Sequence, residues 1–215
     1  MLVDDHHVVR EGYRSLLAKH PDLSVIAEAG NGEQAYLNFK KYHPDLVIMD
    51  ITLPDHSGLE AISRIKHNCK TAKILAFSMH LNPRYAVLAL RHGALGYVTK
   101  SSEPEILLQA IHQVYSGHRI LSSDIAQSVA LEKTGLEEKK LESLSAREFE
   151  IFRMLAEAQS KDRIAQKLHI STKTVSNIHY LIKTKLAVSS DIELTHFAIR
   201  MKVIDIAELT GPDLL

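Results

Sequence analysis

The sequence predicts an α/β domain with a parallel sheet, followed by an all-α domain. Two observations predict this division. In residues 1 to about 117, short apolar runs alternate with segments of helical periodicity, which is the pattern of βαβ units and a parallel sheet. After Gly117 the pattern indicates no further strand, and from Ser143 onward it is helical throughout.

Five strands and five helices account for the first domain. The apolar runs are too short for helices, and we expect strands at 1–3, 23–27, 46–49, 73–77 and 96–98. The segments between them predict helices at 7–18, 31–42, 57–67, 83–92 and 103–116. Ser122 or Ser123 can cap a short helix that reaches Leu131, and the charged stretch 132–142 indicates a linker. We therefore place the first domain at 1–117, a linker with a short helix at 118–142, and the second domain at 143–215.

Polar side chains follow most of these strands at the point where each strand ends. Because the carboxyl ends of parallel strands meet at one edge of a sheet, we expect these side chains to share a pocket. A single Asp at a strand end is usually a turn or helix cap, so the prediction depends on the whole set. Three clustered carboxylates favour Mg²⁺, and with a lysine they can hold a phosphoryl group that a carboxylate attacks in line. The set consists of Asp4, Asp5, Asp50, Ser78 and Lys100.

The second domain begins with a capping box, in which Ser145 and Glu148 satisfy each other's backbone N–H groups. A short helix with Ile164 and Leu168 on one face follows, and Ser171 or Thr172 can cap the next helix. That helix has an apolar stripe of Val175, Ile178, Ile182 and Leu186 and a polar face of Lys173, Ser176, Asn177, Tyr180 and Lys183. The arrangement is typical of a helix-turn-helix, although a helical bundle with no ligand has the same pattern.

Charge and composition narrow the class of protein. The net charge is zero, but residues 161–185 hold six basic side chains and one acid, a net +5 that suits a phosphate backbone or simply a solvated face. The single Cys69 excludes a disulfide framework within the chain, and the 13 histidines form no evident ligand pair. No apolar run approaches the roughly 20 residues that span a bilayer, and charge at Asp4 precedes any signal-peptide core, so we expect a cytoplasmic protein.

The motifs of the first domain resemble those of receiver domains in two-component response regulators. They are Val3-Asp-Asp-His6, the run from Asp50 to Gly58, Ser78, and Gly96-Tyr-Val-Thr-Lys100. The resemblance implies a flavodoxin-like (βα)5 fold and phosphorylation on Asp50. It further implies Mg²⁺ held by Asp4, Asp5, Asp50 and the carbonyl of Thr52, a phosphoryl contact from Lys100, a switch pair of Ser78 and Tyr97, and a loop shaped by Pro54 and Gly58.

The first strand departs from this resemblance. Only Met1, Leu2 and Val3 precede Asp4, whereas receiver domains usually have several more residues in this central strand. A short central strand forms fewer ladder hydrogen bonds and buries less apolar surface, so we expect lower stability than for a chain extended upstream.

The motifs of the second domain resemble the DNA-binding domain of the NarL/FixJ (LuxR-type) regulators, and the run 188–194 resembles the GacA/UvrY branch. The motifs are Leu144-Ser-Ala-Arg-Glu148, the run 163–175, and Lys185-Leu186. By position, Ser176, Asn177 and Tyr180 would face base edges, and Lys173, Thr174 and Lys183 would contact phosphates or sugar. Departures at Ser176, Ile178 and Ala158-Gln159, where the family usually has a basic residue, a His or aromatic, and a Gly, affect base preference more than fold.

Together the two resemblances imply a response regulator that a sensor histidine kinase phosphorylates and that binds double-stranded DNA as a homodimer, with helix 191–201 either dimerising or packing only on its own domain. Two alternatives stay open. One is a receiver whose output is RNA or protein binding. The other is a Mg²⁺-dependent aspartyl phosphotransferase or phosphatase; the haloacid-dehalogenase type usually has a second Asp two residues after the first, where this chain has Thr52, so we expect no enzyme.

Overall fold

The computed structural model describes residues 1–53, 58–131 and 136–204, without the side chains of 128–131, 136 and 138. The chain divides into two compact units, Met1–Leu131 and Glu132–Leu215. The division falls inside the predicted linker 118–142, whose residues 132–135 lie outside the described part. The limits of the two domains at 117 and 143 stay a prediction.

A six-stranded parallel sheet forms the centre of the first unit. The strands are β1 Leu2–Val3, β2 Glu28–Ala29, β3 Val47–Met49, β4 Ile74–Ser78, β5 Gly96–Thr99 and β6 Ile120–Leu121. Their order is β2-β1-β3-β4-β5-β6, and each neighbouring pair is parallel. The order of the first five strands is that of flavodoxin-like sheets, so the predicted fold class is confirmed.

In the described part of the first unit, six helices accompany this sheet: α1 His7–Leu17, α2 Gly32–Tyr42, α3 Gly58–Asn68, α4 Pro83–Arg91, α5 Pro104–Tyr115 and α6 Ser123–Leu131. Each lies within two residues of its predicted position. Local chemistry explains several of the starts, because the Asn31 and Asn82 side chains cap α2 and α4 and prolines open α4 and α5.

Two strand predictions were wrong. The second strand was expected at 23–27, but β2 is Glu28–Ala29, because Leu2 and Val3 offer only these two residues a partner. Residues 23–26 instead line a cavity of about 350 Å³ with Met1, Leu46 and Ile48. No strand was expected after Gly117, yet β6 pairs with β5 through Gly96 and Ile120.

One face of the sheet packs on α5 to form a core. Leu75, Phe77 and Val98 of the sheet are buried with Leu107 and Ile111 of α5. A Cβ at Gly96 would lie 2.7 Å from Ile120 Cγ2 and 2.9 Å from Leu75 Cδ1, so a larger residue there would have to displace packed side chains of β4 and β6. This packing fixes the strand ends that carry the polar residues.

The second unit is helical in its described part, with α7 Leu136–Glu142, α8 Ala146–Ala156, α9 Lys161–Lys167, α10 Thr172–Leu186 and α11 Asp191–Arg200. The predicted capping box is present, since Ser145 Oγ accepts from the N–H of Glu148 and the Glu148 carboxylate accepts from the N–H of Ser145. Phe152 packs edge-on against Phe149 and Phe197, which joins α8 to α11. Within the described residues, no helix is both long enough and apolar enough to cross a membrane.

Candidate functional sites

Three predicted pocket residues meet at the carboxyl edge of the sheet. Asp4 follows β1, Asp50 follows the neighbouring β3, and Lys100 follows β5, which β4 separates from β3. Lys100 Nζ donates to Asp4 Oδ2 and to Asp50 Oδ2, each at 2.6 Å. Asp4 and Asp50 are 2% and 4% exposed, so both carboxylates are held in a site that excludes most water.

Burial and charge act against each other in this pocket. Burial raises the pKa of Asp50, and Lys100 and the N–H of Thr52, which donates to Asp50 Oδ1 at 3.0 Å, only partly oppose it. Burial opposes the charged form of Lys100, but Asp50 and Asp4 outweigh it and raise the pKa of Lys100. The lysine is therefore an ammonium ion at neutral pH, and one cation serves two buried carboxylates.

Asp5 lies next to the buried carboxylates of Asp4 and Asp50 and is itself exposed to solvent. His6 Nδ1 is 2.8 Å from Asp5 Oδ1 and 3.5 Å from Asp4 Oδ1, and the His6 N–H donates to Asp4 Oδ1 at 2.9 Å. One ligand atom each of Asp4, Asp5 and His6 lies within 4.8 Å of the others. The carboxylates of Asp4, Asp5 and Asp50 are the oxygen donors that Mg²⁺ prefers, and a divalent cation would offset their excess negative charge. The donor set therefore fits the expected metal.

Ser78 and Tyr97 are both buried, and a histidine that the sequence interpretation overlooked connects them. The Tyr97 hydroxyl donates to the His80 carbonyl at 2.8 Å, and the His80 N–H donates to Ser78 Oγ at 3.2 Å. Tyr97 thus points inward, and burial raises the pKa of its hydroxyl. The signal available in the sequence was the place of His80, two residues after Ser78 in the segment that links β4 to α4.

Gly58 begins α3 against the backbone of Asp50. A Cβ there would lie 1.9 Å from the Asp50 carbonyl oxygen, and the Gly58 N–H donates to the Ile51 carbonyl at 2.9 Å. Any larger residue would displace the strand end that carries Asp50. Pro54, predicted to shape the same loop, lies outside the described residues.

In the second unit, α9 and α10 form the predicted pair of helices. Ser171 caps α10 by accepting from the N–H of Thr174 at 3.0 Å, and the Ile170 N–H returns to the Ala165 carbonyl across the turn. Lys173, Thr174, Asn177 and Tyr180 are exposed, whereas Ser176 and Lys183 are half-buried. The polar face of α10 is therefore available along most of its length.

The buried side of α10 differs from the expected stripe at one position. Val175, Ile182 and Leu186 are buried as predicted, but His179 takes the fourth buried place and Ile178 is half-buried. The buried positions are spaced by 4, 3 and 4 residues, which follows the helical repeat more closely than the predicted 3, 4 and 4.

Asp191, the first residue of α11, binds two side chains of α10. His179 Nε2 is 2.9 Å from Asp191 Oδ1, and Lys183 Nζ donates to the same oxygen at 3.1 Å. Burial lowers the pKa of His179. The sequence interpretation assigned Lys183 to a phosphate without this intramolecular competitor.

Two family models match the chain. The model described as response regulator receiver domain matches residues 1–112, and the model described as bacterial regulatory proteins of the luxR family matches residues 142–198. The response regulator UvrY of Escherichia coli K12 is 38% identical over 202 residues, which cover 93% of each chain. The response regulator GacA of Pseudomonas aeruginosa is 34% identical over 209 residues, which cover 96% of this chain and 98% of GacA.

Solved structures give the same assignment. A LuxR-family response regulator from Aurantimonas is 48% identical, with a TM-score of 0.59, and covers 60% of this chain and 93% of its own. RcsB of Salmonella enterica serovar Typhimurium, solved bound to the promoter rprA with the phosphomimetic BeF3⁻, is 27% identical, with a TM-score of 0.65, over 91% of this chain and 95% of its own.

Proposed function

Because the chain belongs to the response regulators that join a receiver domain to a LuxR-type DNA-binding domain, we propose that phosphorylation of Asp50 by a sensor histidine kinase controls its sequence-specific binding to DNA. Membership makes the chain a DNA-binding transcriptional regulator. The observation that carries the residue assignment is the buried contact of Lys100 Nζ with both Asp50 and Asp4, 2.6 Å from each.

The pocket suits in-line transfer from a phosphohistidine. A carboxylate oxygen of Asp50 attacks phosphorus, the P–N bond breaks, and the imidazole of the donor leaves. Mg²⁺ held by Asp4, Asp5, Asp50 and the Thr52 carbonyl would neutralise the transferred oxygens. Lys100 already points at Asp50, so it needs to exchange only one carboxylate partner for a phosphoryl oxygen.

Ser78 and Tyr97 are the proposed response elements. Ser78 is fully buried one strand away from Asp50, and its hydroxyl can donate to a phosphoryl oxygen. The inward position of Tyr97, with its hydroxyl on the His80 carbonyl, is compatible with that movement. A change at this pair reaches the segment before α4 and alters the surface that α4 presents to a second receiver.

We propose that α10 is the helix that binds DNA. Ser176, Asn177 and Tyr180 are assigned to base edges, where they read the sequence. Lys173, Thr174 and Lys183 are assigned to the phosphate backbone, where they position the helix. RcsB dimers have been solved on DNA, and for this chain we propose a phosphorylated homodimer on a two-fold site. The reaction is proposed for the cytoplasm, where DNA and the kinase donor domain meet.

We propose a regulator and not an enzyme that turns over a substrate. A phosphatase of the haloacid-dehalogenase type usually uses a second Asp two residues after the acceptor as its acid/base group, and this chain has Thr52 there, whose N–H donates to Asp50 Oδ1. We therefore propose that the covalent phosphoryl group serves as a signal rather than as an intermediate in a repeated reaction.

The acceptor assignment is tested by treating the purified chain with Mg²⁺ and acetyl phosphate and separating phosphorylated from unmodified protein on a phosphate-affinity gel. The wild type should shift, Asp50→Asn should not, and Asp45→Asn, an exposed aspartate just before β3, should shift like the wild type. Continued labelling of Asp50→Asn would refute the assignment.

The output is tested by selecting bound duplexes from a random DNA pool with and without the phosphodonor. We expect enrichment of a two-fold sequence that strengthens with phosphorylation. Absence of duplex binding even at low salt would favour the alternative of RNA or protein as the target.

A further inference from the structure

His80 contacts the phosphorylation pocket and the next helix at the same time. Its Nε2 lies 3.0 Å from Thr52 Oγ1, two residues after Asp50. Its ring stacks on Tyr85 of α4, with centroids 4.0 Å apart and planes 4° from parallel. Its backbone N–H donates to Ser78 Oγ and its carbonyl accepts from the Tyr97 hydroxyl.

These four contacts hold both the backbone and the ring of this half-buried residue. The backbone of His80 is held by the two proposed response residues, and its ring is held between the segment after β3 and the first turn of α4. Tyr85 is 4% exposed and packed into its surroundings, so a displacement of the stacked ring either moves α4 or breaks the stack.

We propose that His80 is a positioning residue that couples the segment after Asp50 to helix α4. This inference rests on the proposed function, since it requires a phosphoryl group on Asp50. When Ser78 turns its hydroxyl toward that group, it gives up the hydrogen bond from the His80 N–H. The imidazole, tied to Thr52 at one edge and stacked on Tyr85, carries the resulting displacement to α4.

The ring of His80 has two separable functions in this coupling. The edge function is the hydrogen bond to Thr52, and the face function is the stack on Tyr85. His80→Phe keeps an aromatic face and removes the hydrogen bond, Thr52→Val removes the same bond from the other side while keeping the Thr52 backbone, and His80→Gln restores a polar group. His118→Phe, at an exposed position after α5, is the matched control.

The experiment uses the full chain with Mg²⁺ and beryllofluoride, and measures amide hydrogen exchange in peptides that cover α4. In the wild type, beryllofluoride should change exchange across 83–91. Each of Thr52→Val and His80→Phe should reduce that change about two- to tenfold, the range expected for one lost hydrogen bond, and the double variant should match the single ones. His80→Gln should recover part of the response, and His118→Phe should behave as the wild type.

A full α4 response in Thr52→Val and His80→Phe, additive losses in the double variant, or an equal loss in His118→Phe would overturn the coupling function. Unchanged far-ultraviolet circular dichroism and thermal midpoints of the variants exclude unfolding as the cause. Failure of the proposed function looks different: the wild type itself would then show neither a beryllofluoride response nor phosphorylation by acetyl phosphate.

Discussion

At the scale of single residues, the pocket at the sheet edge holds more negative than positive charge. Asp4 and Asp50 are buried and share one ammonium group, that of Lys100. Such a pocket is suited to accept a cation and a phosphoryl group, but its charge imbalance works against folding because like charges lie close together out of water. Mutation of Lys100 and mutation of Asp50 should therefore change the free energy of unfolding in opposite directions.

Lys100→Met should destabilise the first unit by about 3–5 kcal/mol, because it leaves two buried carboxylates without their cation. Asp50→Asn should be neutral or stabilising, by up to about 1 kcal/mol, because Lys100 keeps Asp4 and one buried charge is gone. Denaturant unfolding at pH 7 without Mg²⁺ measures both. A loss of stability in Asp50→Asn as large as that in Lys100→Met would contradict this view of the pocket.

His179 should make the stability of the second unit depend on pH. Burial lowers the pKa of His179 below its ordinary value, so the unfolded chain takes up a proton at a pH where the folded chain does not. Stability from this residue is complete above the ordinary histidine pKa of about 6.5 and is lost as the pH falls below it. Thermal unfolding should therefore give a lower midpoint at pH 5.5 than at pH 7.5.

His179→Leu should shrink this difference, and His196→Gln, an exposed position on α11, should leave it unchanged. Asp191 favours the protonated form of His179 and so moderates the effect, whereas Lys161 and Lys183 strengthen it. An unchanged pH dependence in His179→Leu would assign the effect to other groups.

The sequence predicted the site residues that lie at the ends of strands, because the strand order brings those ends together. Asp4, Asp50 and Lys100 follow short apolar runs, and a parallel sheet brings such ends together whatever the loops do. His80 and His179 could not be found in this way. Their roles depend on side-chain contacts across 28 residues to Thr52 and across 12 residues to Asp191, which the strand order does not predict.

At the scale of elements, the sequence predicted best the strands that have a neighbouring strand on each side. β3, β4 and β5 each lie between two strands and were placed to within one residue. β2 was misplaced because a strand needs a partner, and Leu2 and Val3 supply two residues only. β6 was missed because Ile120–Leu121 is too short to produce an alternating pattern.

The cavity beside β1 leads to a prediction about this strand. Leu23, Val25, Leu46 and Ile111 are among the residues that line about 350 Å³ of space next to Met1. Adding four apolar, β-branched residues before Met1 should extend β1 between β2 and β3 and raise the urea midpoint, because new ladder bonds form and apolar surface is buried. Four Gly-Ser residues are the matched control. Equal midpoints for the two extended chains would show that the cavity does not accept a strand.

The end of α8 carries a residue that its backbone does not favour. Ala158 has φ of 57°, and the N–H of Gln159 bonds to the Met154 carbonyl, as in the C-terminal motif that glycine usually closes. Ala158→Gly should stabilise the second unit by about 0.5–1 kcal/mol, because the left-handed region is free of strain for glycine. Ala126→Gly, inside α6, should destabilise the first unit by about the same amount. Destabilisation by Ala158→Gly would contradict the strain argument.

At the scale of the whole molecule, one chain joins a unit that can be phosphorylated to a unit with a basic face, while its net charge is zero. The excess of positive charge is local, so the attraction to DNA should come from α9 and α10 and be sensitive to salt. Within that surface the lysines are not equivalent. Lys173 is exposed, whereas Lys183 is bound to Asp191 Oδ1 at 3.1 Å and must leave that carboxylate to reach a phosphate.

Lys173→Ala should weaken duplex binding and reduce the slope of log affinity against log salt by about one, the loss of one phosphate contact. Lys183→Ala should weaken binding less, because part of its interaction with DNA only replaces the contact with Asp191. Asp191→Asn should tighten binding about two- to fivefold at low salt, since a partly exposed ion pair of ordinary strength no longer competes. Fluorescence anisotropy over a salt series measures all three, with Lys19→Ala in the first unit as the control. Equal losses for the two lysines, with no gain in Asp191→Asn, would mean that the ion pair does not restrain Lys183 and that the α10 face binds as a uniform basic surface.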